Sequence, residues 1–94
     1  MAKPKQMYAT KADLTRIFGV SPMTVYRRVQ EIQKEIGKRY NKYAIIDNLI
    51  SIAVYADYEK YRKHLADKNL RKNVPLFEMS EAERYLDGKG VKWA

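Results

Sequence analysis

Seven side chains within the ten residues Ser21–Gln30, SPMTVYRRVQ, are of types that recognise a polymer by contact. Arg27 carries a fork of donors that matches the paired acceptors of a guanine edge, and Met23 suits the methyl group of thymine. Thr24, Tyr26 and Gln30 add hydrogen-bonding groups, so Met23, Thr24, Tyr26, Arg27 and Gln30 form the expected base-reading set. Ser21, Arg28, Lys34, Lys38, Arg39 and Lys42 are the expected phosphate contacts, because a phosphate asks only for a cation or a donor within reach. Any one of these residues alone reads as a solvated surface group. Their clustering at the start of one helix carries the expectation.

Bond-making chemistry has little to work with. His64 is the only histidine and stands among Arg62, Lys63 and Lys68 on the polar edge of a helix. The chain has no cysteine, which removes disulfides and thiolate metal sites. Asp57 and Glu59 have no metal-ligand spacing, and Glu81 and Glu83 suit the start of a helix. Neither a glycine-rich phosphate loop nor a nucleophile motif is present. The expectation is a binding protein and not an enzyme, with no metal, no cofactor and no small-molecule substrate.

The elements that must position these residues are marked by local signals. Thr10 and Asp13 make a T-x-x-D start for a first helix reaching about Phe18, with Leu14, Ile17 and Phe18 on one apolar face. Gly19 suits the left-handed position that ends such a helix, and Val20 can fill the corner. Ser21 then caps a second helix, with Pro22 at its first position, where the missing N–H costs nothing. This helix runs to about Ile36, burying Val25, Val29, Ile32 and Ile36 and leaving Met23, Tyr26, Arg27 and Gln30 on the other side.

The line LTRIFGVSPMTVYRR resembles helix-turn-helix proteins of the excisionase and MerR-like type, with Gly19 at the turn and Val20, Val25 and Val29 at core positions. Thr15 stands where many members carry alanine between the helices. The resemblance is tight over residues 11–30 and loose beyond them. It implies that the second helix enters the major groove of double-stranded DNA and that a β-hairpin wing follows it. Arg39-Tyr40 and Tyr43–Ile45 read as the wing strands around an Asn41-Lys42 turn, with Lys38, Arg39 and Lys42 at or near the tip.

Beyond the wing, Asp47 reads as the cap of a long third helix over Asn48–Ala66. Its tyrosines, Tyr55, Tyr58 and Tyr61, fit a core or dimer face, with Glu59, Lys60, Arg62 and Lys63 outside. Residues 67–77, DKNLRKNVPLF, break the pattern and read as a strap tacked down by Leu70, Val74, Leu76 and Phe77. Ser80 and Glu83 then open a short C-terminal helix that stops at Gly88, leaving Trp93 in the tail. The fold class is therefore mainly α: a winged helix-turn-helix with a short hairpin wing, a long third helix and a short last one. Residues 1–8 form a basic arm, 9–66 the body, and 67–94 a strap, helix and tail on the same domain or on a partner.

Charge agrees with this reading. The 94 residues carry a net +8, of which +7 falls in residues 1–46 and +1 in residues 47–94. A polyanion contacting the first half explains that asymmetry, since each phosphate neutralised releases counterions. No apolar run reaches the roughly 18 to 20 residues of a membrane span, and the start lacks the apolar core of a secretory signal. The expected place is the cytoplasm, at the nucleoid, without a membrane partner. The expected function is sequence-specific binding of double-stranded DNA, as a phage or mobile-element transcriptional regulator or an excisionase-like recombination directionality factor. A homodimer or cooperative array would enlarge the footprint of so small a module. Two alternatives are a protein-interaction module of the antirepressor type, using the tyrosine-rich long helix, and a non-specific architectural DNA binder.

Overall fold

Thr10, Ser21, Asn41, Ser51 and Asp67 each place a side-chain oxygen on the N–H of a residue two or three positions ahead, and a helical segment begins at each. These orphan N–H groups have no partner inside their own helix, so the short polar residues fix where helices start. The computed structural model describes residues 8–88. The arm with Lys3 and Lys5 (apart from Tyr8) and the tail with Trp93 lie outside the described residues.

Helix α1 spans Lys11–Phe18 and α2 spans Pro22–Glu35. Gly19 ends α1 in the left-handed region at φ 65°, and its N–H and that of Val20 both reach the Thr15 carbonyl. Ser21 Oγ accepts from Thr24 N at 3.2 Å, so α2 begins at Pro22, three positions after the Gly19 cap of α1. The Thr15 hydroxyl donates to the Lys11 carbonyl of its own helix, which satisfies the one polar group that an alanine would lack.

The hairpin expected around Asn41-Lys42 does not form, and a different one lies further along the chain. Strands β2 (Ile45–Ile46) and β3 (Leu49–Ser51) pair antiparallel, Ile45 with Ile50 and Ile46 with Leu49, around an Asp47-Asn48 turn. Asp47 takes φ 54°, a conformation that a short Asx side chain tolerates. An N-terminal strand β1 (Tyr8–Ala9) pairs with the other edge of β3, giving the order β1-β3-β2. The Arg39–Lys42 region is instead a tight loop with Gly37 at φ 89°, followed by one 3-10 turn over Lys42–Ala44 capped by Asn41. The long helix is displaced to match. Helix α3 covers Ile52–Ala66 with Ser51 as its cap, because Leu49, Ile50 and Ser51 are committed to the sheet.

Residues 52–58 of α3 are buried on every side, as a run of apolar residues broken only by Asp57 requires. Leu14 from α1, Val25, Val29 and Ile32 from α2, and Ala9 and Ile50 from the sheet meet it in one core. The Tyr55 ring lies 4.6 Å from that of Phe18, so the central helix roofs the α1–α2 pair directly. Residues 67–77 are less irregular than expected: α4 (Lys68–Arg71) sits within them, capped by Asp67. Val74 and Phe77 pack on the core, whereas Leu70 is exposed and Leu76 is 89% exposed, so those two do not tack the segment to the described body. Helix α5 (Met79–Gly88) lies along α3 and buries Ala82 and Leu86. The Ser80 capping box does not form. Ser80 lies inside the helix with its hydroxyl on Glu78 Oε1 at 2.8 Å, and Gly88, the last described residue, is itself helical.

One buried polar cluster ties the loop after α2 to the C-terminal half. Asp57 accepts from Arg39 Nε at 2.8 Å, Arg39 Nη2 at 3.0 Å and the Tyr40 hydroxyl at 2.7 Å. Arg39 Nη1 also donates to the Pro75 carbonyl at 2.6 Å. Burial alone would lower the Arg39 pKa, but the hydrogen bond and charge of Asp57 outweigh it and the net shift is upward. Burial, then the Asp57 charge and hydrogen bond, raise the Tyr40 hydroxyl well above its ordinary value. Burial and the bond to Glu31 raise Tyr58 in the same way.

These two tyrosines give the fold an alkaline limit. A hydroxyl whose pKa is raised on folding contributes fully below the unfolded value near 10 and loses that contribution as pH rises beyond it. Above about pH 10 the unfolded chain releases protons that the folded chain holds, so each ring shifts the equilibrium toward unfolding by up to about tenfold per pH unit. Urea denaturation between pH 9 and 11.5 should show that decline. The double variant Tyr40→Phe/Tyr58→Phe should show a shallower one, and equal slopes would refute the assignment.

Candidate nucleic-acid interface

The apolar stripe of α2 decides which side chains face outward. Val25, Val29 and Ile32 are buried, which turns Met23, Arg27, Gln30 and Lys34 to the exposed side. Met23 is 58% exposed and Tyr26 51%, so the outer face of α2 carries two large, largely apolar side chains. All five expected base-reading residues therefore lie on one helix, with only Thr24 partly covered. Its hydroxyl is held 2.9 Å from Ser21 Oγ, so the cap and its neighbour form a paired hydroxyl site at the helix start. No hydrogen bond or ion pair within the described residues occupies Arg27.

The flanks of this outer face differ. Toward α1, Ala12, Thr15, Pro22, Met23 and Tyr26 line an open apolar recess of about 650 Å³, with Lys11 at its edge and its ammonium 5.5 Å from the Tyr26 ring centre. Toward α3, Thr24, Arg27, Arg28, Glu31 and Arg62 line a polar recess of about 270 Å³. Neither Lys11 nor Arg62 belongs to the set predicted from sequence. Lys11 is brought in by the α1–α2 turn and Arg62 by the packing of α3, and both are contacts that local pattern does not encode.

The expected phosphate contacts divide. Ser21, Lys34, Lys38 and Lys42 are exposed, Lys34 on α2 and Lys38 and Lys42 in the loop that follows, with Lys42 Nζ 5.2 Å over the Tyr43 ring. Arg28 is largely covered and ion-paired with Glu59, Nη1 to Oε2 at 3.1 Å. Its charge also lies close enough to Tyr55 to oppose the rise in that hydroxyl's pKa caused by burial. Arg39 is turned inward, its side chain 7% exposed against Asp57 at 6%. Arg39 therefore leaves the phosphate-contacting set: a guanidinium already sharing a buried carboxylate has no outward donor fork. Tyr58 and Glu31, and Arg71 and Glu35 (Nη1 to Oε2, 3.0 Å), continue the row of polar links that seats α2 on α3 and α4.

His64 is exposed in the last turn of α3, and no group of three or more His, Asp or Glu among the described residues is placed to hold a metal ion. No helix among the described residues is long and apolar enough to cross a membrane. The chain matches no protein-family model, no curated protein and no solved structure.

Proposed function

We propose that the chain is a winged helix-turn-helix protein that binds double-stranded DNA sequence-specifically through α2, as a small transcriptional regulator or recombination directionality factor of the phage or mobile-element kind. The observation that carries this reading is the outer face of α2, where Met23, Tyr26, Arg27 and Gln30 stand exposed beyond a capped N-terminus. Such a face puts a donor fork and apolar groups at the depth of base edges, while the helix N-terminus and flanking cations meet phosphates. The strand order β1-β3-β2 also supports it, since the β2–β3 hairpin then stands where a wing follows a recognition helix. Its tip, Ile46 to Leu49, carries no cation, so the phosphate contacts are assigned to Lys34, Lys38 and Lys42 instead. A tyrosine face on α3 for a protein partner is not favoured, because Tyr55 and Tyr58 are buried.

The test is selection from a pool of randomised duplexes, followed by titration of the selected and a random duplex at several salt concentrations. The reading expects log K to fall linearly with log salt, and a selected site bound at least about a thousandfold tighter than random sequence. Equal affinities would make the protein an architectural binder, and no binding to any duplex would overturn the reading. The apolar recess beside Met23 and Tyr26 adds a sharper expectation. Replacing thymine by deoxyuridine throughout the selected site removes only the 5-methyl groups, and should weaken binding several-fold while leaving the random duplex unchanged.

A further inference from the structure

Given double-stranded DNA as the ligand of α2, we infer that the polar recess between α2 and α3 seats one backbone phosphodiester, with Arg62 as its principal cation. The inference rests on the DNA-binding reading and extends the interface onto a helix that the sequence assigned to core and solvent. Three guanidiniums, Arg27, Arg28 and Arg62, line the recess against one carboxylate, Glu31. Their availability differs. Arg28 is committed to Glu59, and Arg27 sits at the outer edge of α2, where its fork is needed for a base. Arg62 is half-buried, fixed by the helix that carries Tyr58 and Glu59, and has no hydrogen bond or ion pair within the described residues. Among the described residues Arg62 has no ion pair of its own, whereas Arg39 has Asp57 and Arg71 has Glu35, and the single carboxylate of the recess, Glu31, faces three guanidiniums. A phosphate oxygen supplies a counter-charge, and arginine's fork accepts that group bidentately.

The recess also lies on the correct side. The outer face of α2 would point to bases, so a group beside it, toward α3, would meet the sugar-phosphate strand bordering the groove rather than the bases within it. Glu31 moderates the site. Its carboxylate accepts from Tyr58 at 2.9 Å and so remains in the recess, where it opposes an incoming phosphate.

The test compares variants on the selected and random duplexes across a salt series. Arg62→Ala should weaken both by the same factor, about three- to tenfold, and reduce the salt slope by about 0.9. Lys63→Ala, which removes the same charge from an exposed position on the same helix, should lower the slope less. Glu31→Gln keeps an acceptor for Tyr58 and should tighten both complexes about two- to fivefold by removing a like charge. A scan of single methylphosphonate linkages should find one position at which wild type and Arg62→Ala bind equally, because the phosphate charge that Arg62 meets is gone. If wild type binds DNA steeply with salt while Arg62→Ala matches it in affinity and slope, or Lys63→Ala loses as much, the seat is refuted and the DNA reading stands. If wild type binds no duplex, the DNA reading itself fails.

Discussion

Replacing Asp57 by alanine is expected to cost about 3 to 5 kcal/mol of folding stability, the usual consequence of removing one partner of a buried ion pair. Three donors converge on this carboxylate, two from Arg39 and one from Tyr40. Without it the Arg39 guanidinium keeps only the Pro75 carbonyl and the faces of Tyr40 and Tyr61, at 5.9 and 5.4 Å from the ring centres, while the Tyr40 hydroxyl is stranded. A domain of this size has a total stability of about 5 to 14 kcal/mol, so the loss is a large part of the whole. Thermal denaturation followed by circular dichroism should show a midpoint more than about 10 °C lower. The pair as such is a different matter, since replacing both ions by apolar groups of similar volume is often neutral. Asp57→Leu/Arg39→Met should therefore recover much of what Asp57→Ala loses. An Asp57→Ala protein within about 0.5 kcal/mol of wild type would show the cluster to be incidental, because that is the range of ordinary surface changes.

The cluster also marks the limit of what sequence pattern reveals. The α1–turn–α2 unit was legible because its signals are local: Thr10 and Ser21 bond N–H groups three residues ahead, and Gly19 supplies the one left-handed residue between the helices. The hairpin read over residues 39–45 does not form, and strands pair over residues 45–51 instead. Asp47 serves equally well as a helix cap or as the first residue of a two-residue turn, and only pairing of Ile50 with both Ala9 and Ile45 decides between them. That choice moved the start of the long helix from Asn48 to Ile52 and removed the cations from the hairpin tip. Arg39 read as a surface cation because its partner lies eighteen positions away on another helix. Arg62 was passed over for the converse reason, since nothing near it in sequence shows that α3 brings it beside Arg27. Charge pattern thus located the basic half of the molecule, and tertiary packing decided which of its cations remain available.

That selection bears on the role proposed for α2. Along its inner flank Arg28 is ion-paired with Glu59, and Glu31 and Glu35 accept hydrogen bonds from Tyr58 and Arg71, which anchors the helix over three successive turns. A helix held this way presents its outer side chains from a fixed frame. Positional rigidity of that kind is what base readout requires, because a donor fork misplaced by an ångström loses one of its two bonds.

Arg27→Ala is therefore expected to reduce the ratio of selected-site to random-duplex affinity by about 5- to 150-fold, the worth of one bidentate contact to guanine. Its side chain is exposed and has no hydrogen bond or ion pair among the described residues, so the melting temperature should not change and the loss cannot be assigned to folding. Arg27 also touches the polar recess, which leaves two ways for it to meet DNA. Arg27→Lys separates them. Lysine keeps the charge that a phosphate needs but lacks the planar fork that pairs with guanine. If Arg27 reads a base, lysine should restore the random-duplex affinity and the salt slope while the ratio stays low. If it holds only a phosphate, lysine should restore everything, and alanine should have weakened both duplexes alike. An unchanged ratio in Arg27→Ala would take α2's central arginine out of base reading and leave sequence preference to Met23, Thr24, Tyr26 and Gln30.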